Sequence, residues 1–149
     1  MKQIFYAMEF SGQAAPVAGP SNVIKAATSA SSCSLTSTVG ADGLSASLKP
    51  AAGGKAIFES EVTVTGDTSF VESGTIRFGE GNHRLRFSTV GEGYMDASAD
   101  PKLRHGSVIW RIDGGEGQFA GASGLITSNF TLGETGAVID RHFGVIFVR

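Results

Sequence analysis

Glu72 is the residue whose setting points most directly to chemistry. It stands in Phe70-Val71-Glu72-Ser73-Gly74-Thr75-Ile76, and Phe70, Gly74 and Ile76 share its side of an extended chain. Burying an unpaired carboxylate costs several kcal/mol, so such a group either finds partners or keeps its proton. A carboxyl group that keeps its proton near neutral pH can act as a general acid or base. Two readings stand: Glu72 on an inner wall, or Glu72 at a rim, hydrated or paired with an arginine.

The preceding hairpin decides whether a second carboxylate joins it. A two-residue loop, Gly66-Asp67, places Glu61 opposite Glu72. A three-residue loop, Gly66–Thr68, places Val62 there and turns Glu61 outward. Matching of apolar residues (Phe58, Val62 and Val64 against Phe70 and Ile76) favours the longer loop.

A second constellation lies in the last hairpin. With Gly133–Gly136 as a four-residue turn, Leu132 pairs with Ala137, Asn129 faces Asp140 and Thr127 faces His142. Cross-strand neighbours on one face sit about 4.5–5.5 Å apart, close enough for a hydrogen-bond network. Asp140 could orient His142 as an acid/base, while Asn129 could polarise a carbonyl or hold a water. The apolar residues opposite (Ile126, Phe130, Ile139, Phe143) weigh slightly toward an outward polar face, and both orientations stay open. Trp110, Phe87 and Tyr94 are the aromatic candidates for lining a pocket with these groups.

Other motifs carry no specific chemistry. Gly114–Gly121 contains neither a G-x-G-x-x-G nor a Walker lysine, and reads as a bulged connection between strands. The three histidines, His83, His105 and His142, lack metal-ligand spacing, so no metal is expected. Cys33 has no nucleophile signature around it.

The elements that must hold these residues are strands. Glycine, serine and threonine are abundant and strong helix formers are scarce, which favours short strands and tight turns. The expected strands are Ile4–Gly12, Asn22–Val39, Leu44–Leu48, Ala56–Thr65, Phe70–Phe78, His83–Gly93, Gly106–Ile112, Ser123–Leu132 and Ala137–Val148. Ile24–Ala30 alone could pass as a helix. Pro50–Gly54 is expected to be a turn, and Met95–Arg104 the longest connection. The hairpin closed by Gly79–Asn82 pairs Ile76 with Leu85, Gly74 with Phe87 and Glu72 with Thr89, leaving the arginines 77, 84 and 86 outside.

The expected fold is therefore all-β: a single domain over residues 1–149, forming a closed antiparallel meander barrel of eight or nine strands. Gly74, Gly91, Gly93 and Gly106 fall in inward runs, and absent side chains there are expected to leave room for one small ligand.

Composition narrows the classes further. The 149 residues carry a net charge of −2 with no basic stripe, so no nucleic-acid partner is expected. No stretch is long enough for a membrane span, and Glu9 interrupts the apolar start Ile4–Met8 of a would-be signal segment. With a single cysteine, a cytoplasmic protein is expected.

The second half, Gly106-Ser107-Val108-Ile109-Trp110-Arg111-Ile112 followed by Gly114-Gly115-Glu116-Gly117-Gln118-Phe119-Ala120-Gly121-Ala122-Ser123-Gly124, resembles a pattern of bacterial calycin-like barrel proteins. Their architecture is similar to that of allene oxide cyclase, and the likeness runs from about Ala56 to Val148. The resemblance implies a ligand inside the barrel, assembly into oligomers, and a deep apolar pocket with a buried glutamate and an asparagine-held water. Glu72 and Asn129 are the counterparts it suggests. Together these readings give an expected cofactor-independent isomerase, cyclase, hydratase or lyase. Its substrate would be a small apolar organic molecule, and the protein a homo-oligomer (dimer or trimer). Two alternatives stand beside it: a carrier or sensor without catalysis, and an interaction protein with a packed interior.

Overall fold

A computed structural model of the chain describes residues 1–149. It contains nine strands: β1 (Lys2–Pro16), β2 (Val23–Gly40), β3 (Gly43–Val64), β4 (Ser69–Phe78), β5 (Arg84–Thr89), β6 (Gly93–Ala97), β7 (Leu103–Glu116), β8 (Ser123–Gly133) and β9 (Ala137–Val148). The one helical turn is a 3-10 turn at Gly117–Phe119. Ile24–Ala30 is strand, because its alternate side chains Ala26, Thr28 and Ala30 face the interior.

All pairings are antiparallel, and each strand pairs with its neighbour in sequence except where β5 and β6 divide one place between them. β5 pairs with one part of β4 and β7, and β6 with another. β9 returns to β1 along Lys2–Gln13, so the sheet closes into a ring. Closure leaves few unpaired edges in the body of the molecule.

Two boundaries differ from the expectation. Pro50–Gly54 is not a turn: β3 runs through it, opposite a register shift between Ser31 and Cys33 of β2. Gly53 takes a left-handed φ of 147° there, beside the Ser32 side chain. The long β2–β3 hairpin thus continues beyond the pairing with β1 as an arm, Cys33–Pro50, whose residues are largely exposed and whose Leu35 and Ala46–Leu48 border Met8, Glu9 and Arg141. Second, the expected strand His83–Gly93 ends at Thr89 and a new one begins at Gly93, with Gly91 turning between them.

The ring's interior is mostly filled. Phe58, Phe87 and Trp110 form a cluster in which each ring touches the other two, with centroid separations of 5.3, 4.5 and 5.4 Å, and Phe10 stacks on His142 at 4.2 Å. Each of the three phenylalanines contributes about 1.5–3 kcal/mol by leaving water. The inward glycines do not leave a hollow, contrary to expectation. A side chain at Gly74 would strike the β3 backbone and Phe87, at Gly93 the Phe70 ring, and at Gly106 the Phe130 ring. Gly91 lies in the turn, away from the interior. Neighbouring aromatic rings take the space that these glycines release.

Candidate functional site

An apolar cavity with a volume of about 70 Å³ opens onto the interior. Its floor is made of buried residues: Thr28, Phe58, Phe70, Glu72 and Asp140. Half-buried apolar side chains, including Ile24, Val62, Met95 and Leu132, form the walls toward solvent. Apolar walls leading to a floor with three polar groups are the usual make-up of a small-molecule site.

Glu72 reaches this floor because the registers on both sides of β4 are those the apolar pattern favours. Val62 stands opposite Glu72, and Gly74 opposite Phe87. Glu61 therefore faces Ser73 on the outer side, and no Glu61–Glu72 pair exists. Thr89 clamps the main chain of Glu72: its hydroxyl accepts from the Glu72 N–H at 2.7 Å and donates to the Glu72 carbonyl at 2.8 Å. A side chain thus replaces the strand ladder where β5 ends.

Glu72 is 9% exposed, and its carboxyl has two partners. Ser60 Oγ donates to Oε2 at 2.6 Å, and Trp110 Nε1–H donates to Oε1 at 3.2 Å. Burial pushes its pKa up to about 8; the Ser60 hydrogen bond works against this, the Asp140 charge adds to it, and the Trp110 bond opposes it. Desolvation prevails because two neutral donors cannot replace the hydration of a charge. Glu72 is therefore mainly protonated at neutral pH, where Ser60 Oγ can accept the acid proton instead of donating.

Asp140 borders the same cavity from β9. Ser128 Oγ donates to its Oδ1 at 2.6 Å, and His142 Nε2 lies 2.9 Å from its Oδ2. The His142 tautomer protonated at Nε2 makes this a hydrogen bond, and leaves Nδ1 buried without a partner. The Tyr6 hydroxyl is also buried and unpartnered. Burial first, and the Asp140 charge second, hold its pKa well above the usual tyrosine range, so it stays a neutral phenol.

Asp140 and His142 are inside, but Asn129 and Thr127 are not with them. The β8–β9 register is shifted by one residue from the expected pairing: Leu132 faces Val138, Asn129 faces Arg141 and Thr127 faces Phe143. The loop holds three residues, Glu134–Gly136, with Gly136 at φ 87°. A three-residue loop ending in a left-handed glycine is a regular hairpin form, and one residue of slip reverses every face. Asn129 is exposed, and Thr127 donates only to the Phe143 carbonyl at 3.3 Å. Tyr94, 50% exposed, is also outside, with its hydroxyl 3.4 Å from Asp96. Neither an asparagine-held water nor a Tyr94 contact can therefore belong to the interior. Trp110 and Phe87 do lie inside, packed against each other, and Trp110 touches the Glu72 carboxyl.

Sequence reasoning did not single out Ser60, Ser128, Thr28 or Tyr6. Ser60 and Ser128 were readable in principle, since each lies two residues from the partner of a buried acid on the adjoining strand. Thr28 depended on the β1–β2 register, which no tight turn announces.

Comparison with family models, curated proteins and solved structures finds no match. The site must speak through its own geometry. No cluster of histidine, cysteine, aspartate or glutamate suited to a metal ion occurs, and no helix is long and apolar enough to cross a membrane.

Proposed function

We propose that this protein is a small β-barrel that binds a small, largely apolar organic molecule in its lumen and moves a proton on it. The reaction is a cofactor-independent isomerisation, cyclisation, hydration or elimination. The observation that carries this reading is the Glu72 carboxyl at the floor of an apolar cavity, protonated near neutrality by burial. Glu72 delivers its proton to the substrate. The Asp140 carboxylate, oriented by Ser128 and His142, is the base on the same floor. For an isomerisation the substrate gains the Glu72 proton at one atom and loses another to Asp140, and passage of that proton from Asp140 back to Glu72, directly or through water, resets both groups for the next turnover. Confinement in a dry cavity adds to the rate by orienting the reacting groups.

The test is a comparison of the protein and its Glu72→Gln variant on a metabolite extract of the host cell. The expected result is one compound depleted and an isomer or hydration partner accumulated, with conversion falling at least about 100-fold in the variant. Native mass spectrometry should still show the compound retained by the variant. Equal conversion by both proteins, or retention with no conversion by either, would overturn the catalytic reading; the latter result describes a carrier.

We propose further that a second copy of the chain covers the outer face of β1, β8 and β9. Phe5, Leu125 and Phe143 are 71%, 52% and 51% exposed there, and Phe5, Val145 and Leu125 lie side by side across the three strands. An apolar patch of this kind is larger than isolated surface residues require. The adjoining arm carries only Asp42 and Lys49 as charges between Cys33 and Pro50, and a free hairpin of that length is marginally stable in water. A largely apolar face, whose Glu9–Arg141 ion pair is already closed on itself, beside a charge-poor arm suits a second copy better than a charged partner. Sedimentation should show a dimer or trimer that Phe143→Lys converts to monomer; a monomeric wild type would refute it.

A further inference from the structure

We infer that the lumen is built for an uncharged ligand: a compact apolar body bearing one hydroxyl or carbonyl oxygen, which takes the Thr28 hydroxyl as its partner. The inference rests on the lumen being a ligand site and names the chemistry it selects.

Thr28 is 6% exposed, borders the cavity, and its Oγ1 has no hydrogen-bond partner. Leaving a hydroxyl buried and unpaired costs about 1–3 kcal/mol. Valine would fill the same volume without that cost, as Val62 and Val138 do elsewhere on the same wall. A purely structural position would thus be better served by valine, and the hydroxyl is accounted for by a partner that enters the cavity.

Charge and hydrogen bonding narrow that partner. No lysine, arginine or histidine lines the cavity, so an anion would lose its water to apolar walls and find no counter-charge. A cation gains little. Both oxygens of Glu72 and both of Asp140 already accept hydrogen bonds, and the apolar walls would strip an ammonium of its water. A neutral oxygen suits the floor: it can accept from the Thr28 hydroxyl, and as a hydroxyl it can donate to it. Size sets the last limit. An engineered cavity of about 150 Å³ takes benzene, and this one measures about 70 Å³, so the body seated on the floor is smaller than a benzene ring, with any longer tail running out between the apolar walls.

The experiment titrates a matched series (cyclobutanol, cyclobutanone, methylcyclobutane, cyclobutanecarboxylate and cyclobutylamine) into the protein and into Thr28→Val. Binding is read from the NMR signals of the single tryptophan's indole N–H, which lies against Glu72, and of the Met95 methyl on the cavity wall. The alcohol and ketone should bind about tenfold more tightly than methylcyclobutane, the gain expected when an unpaired hydroxyl is satisfied. The two ions should bind more weakly than either. In Thr28→Val, which keeps the shape and should fold at least as well, the advantage over the hydrocarbon should vanish. A hydrocarbon that binds as well as the alcohol, an ion that binds best, or a preference that survives Thr28→Val would overturn the inference while leaving a ligand-binding lumen intact. If none of the five perturbs either signal, the lumen is not a ligand site and both readings fall.

Discussion

Two buried carboxyl groups border the cavity, and each accepts a hydrogen bond of 2.6 Å from a serine on a neighbouring strand: Ser60 for Glu72 and Ser128 for Asp140. Their second partners differ. Glu72 meets the Trp110 indole, a donor that never carries charge, whereas Asp140 meets His142, whose ring can hold a positive charge. With similar burial and a similar serine bond, the partner's chemistry separates the two groups. Glu72 escapes the cost of burial by keeping its proton, while Asp140 has a potential cation beside it. In the proposed reaction, these unlike surroundings are what would let Glu72 serve as acid and Asp140 as base.

Breaking the Asp140 side should have the largest effect on stability. His142→Phe keeps the stack on Phe10 but leaves Asp140 Oδ2 buried without its partner. Loss of one member of a buried pair costs about 3–5 kcal/mol, readable in urea denaturation. A loss below about 1 kcal/mol would mean that the Asp140–His142 contact contributes no more than a surface pair.

The Glu72 side should appear as a dependence of stability on pH. Its unfolded pKa is near 4.5 and its folded value about 8. Between these values the native state holds a proton that the unfolded chain lacks. The contribution is thus complete below pH 4.5 and is lost as pH rises through about 8. The slope approaches about 1.4 kcal/mol per pH unit. Glutamine does not titrate, so denaturation of Glu72→Gln at several pH values should lack this decline. A variant with the same slope as wild type would assign the decline to other groups.

The two serines sharpen the contrast at smaller amplitude. Ser60→Ala and Ser128→Ala should each cost about 1–2 kcal/mol as one buried acceptor oxygen loses its donor. Only Ser60→Ala should raise the Glu72 pKa directly, because it removes a hydrogen bond that lowers it. NMR titration of the two variants distinguishes them. Smallest of all, Asn129→Ala and Tyr94→Phe, both on the outer face, should shift stability by no more than about 0.5 kcal/mol and leave the Glu72 titration unchanged.

The all-antiparallel sheet and the position of Glu72 were legible in the residues because two clear turns flank β4. Gly79–Asn82 and Gly66–Thr68 set both registers, and the run Phe70, Glu72, Gly74, Ile76 then had one solution. The β8–β9 hairpin was misread because Gly133-Glu134-Thr135-Gly136 suits either a three- or a four-residue loop, and its strands carry apolar residues on both faces. Apolar matching therefore could not correct the slip. Pro50–Gly54 looked like a turn by composition, yet it tolerates extension where the arm leaves the ring and β3 has no neighbour but β2. The inner glycines misled for a different reason. Glycine removes a side chain from its own strand, but the rings of Phe70, Phe87 and Phe130 on adjoining strands refill the gap. The cavity arises instead where short side chains such as Ala14 and Ala26 meet, which depends on the β1–β2 register that no tight turn announces.

The protonation of Glu72 can be followed directly, through the side-chain carboxyl carbon in protein labelled with carbon-13 at glutamate and assigned by its loss in Glu72→Gln. A midpoint near 8, set apart from the other glutamates, is the predicted result. A midpoint near the ordinary value of 4.5 would show a hydrated carboxylate in place of a buried acid, and would contradict the account.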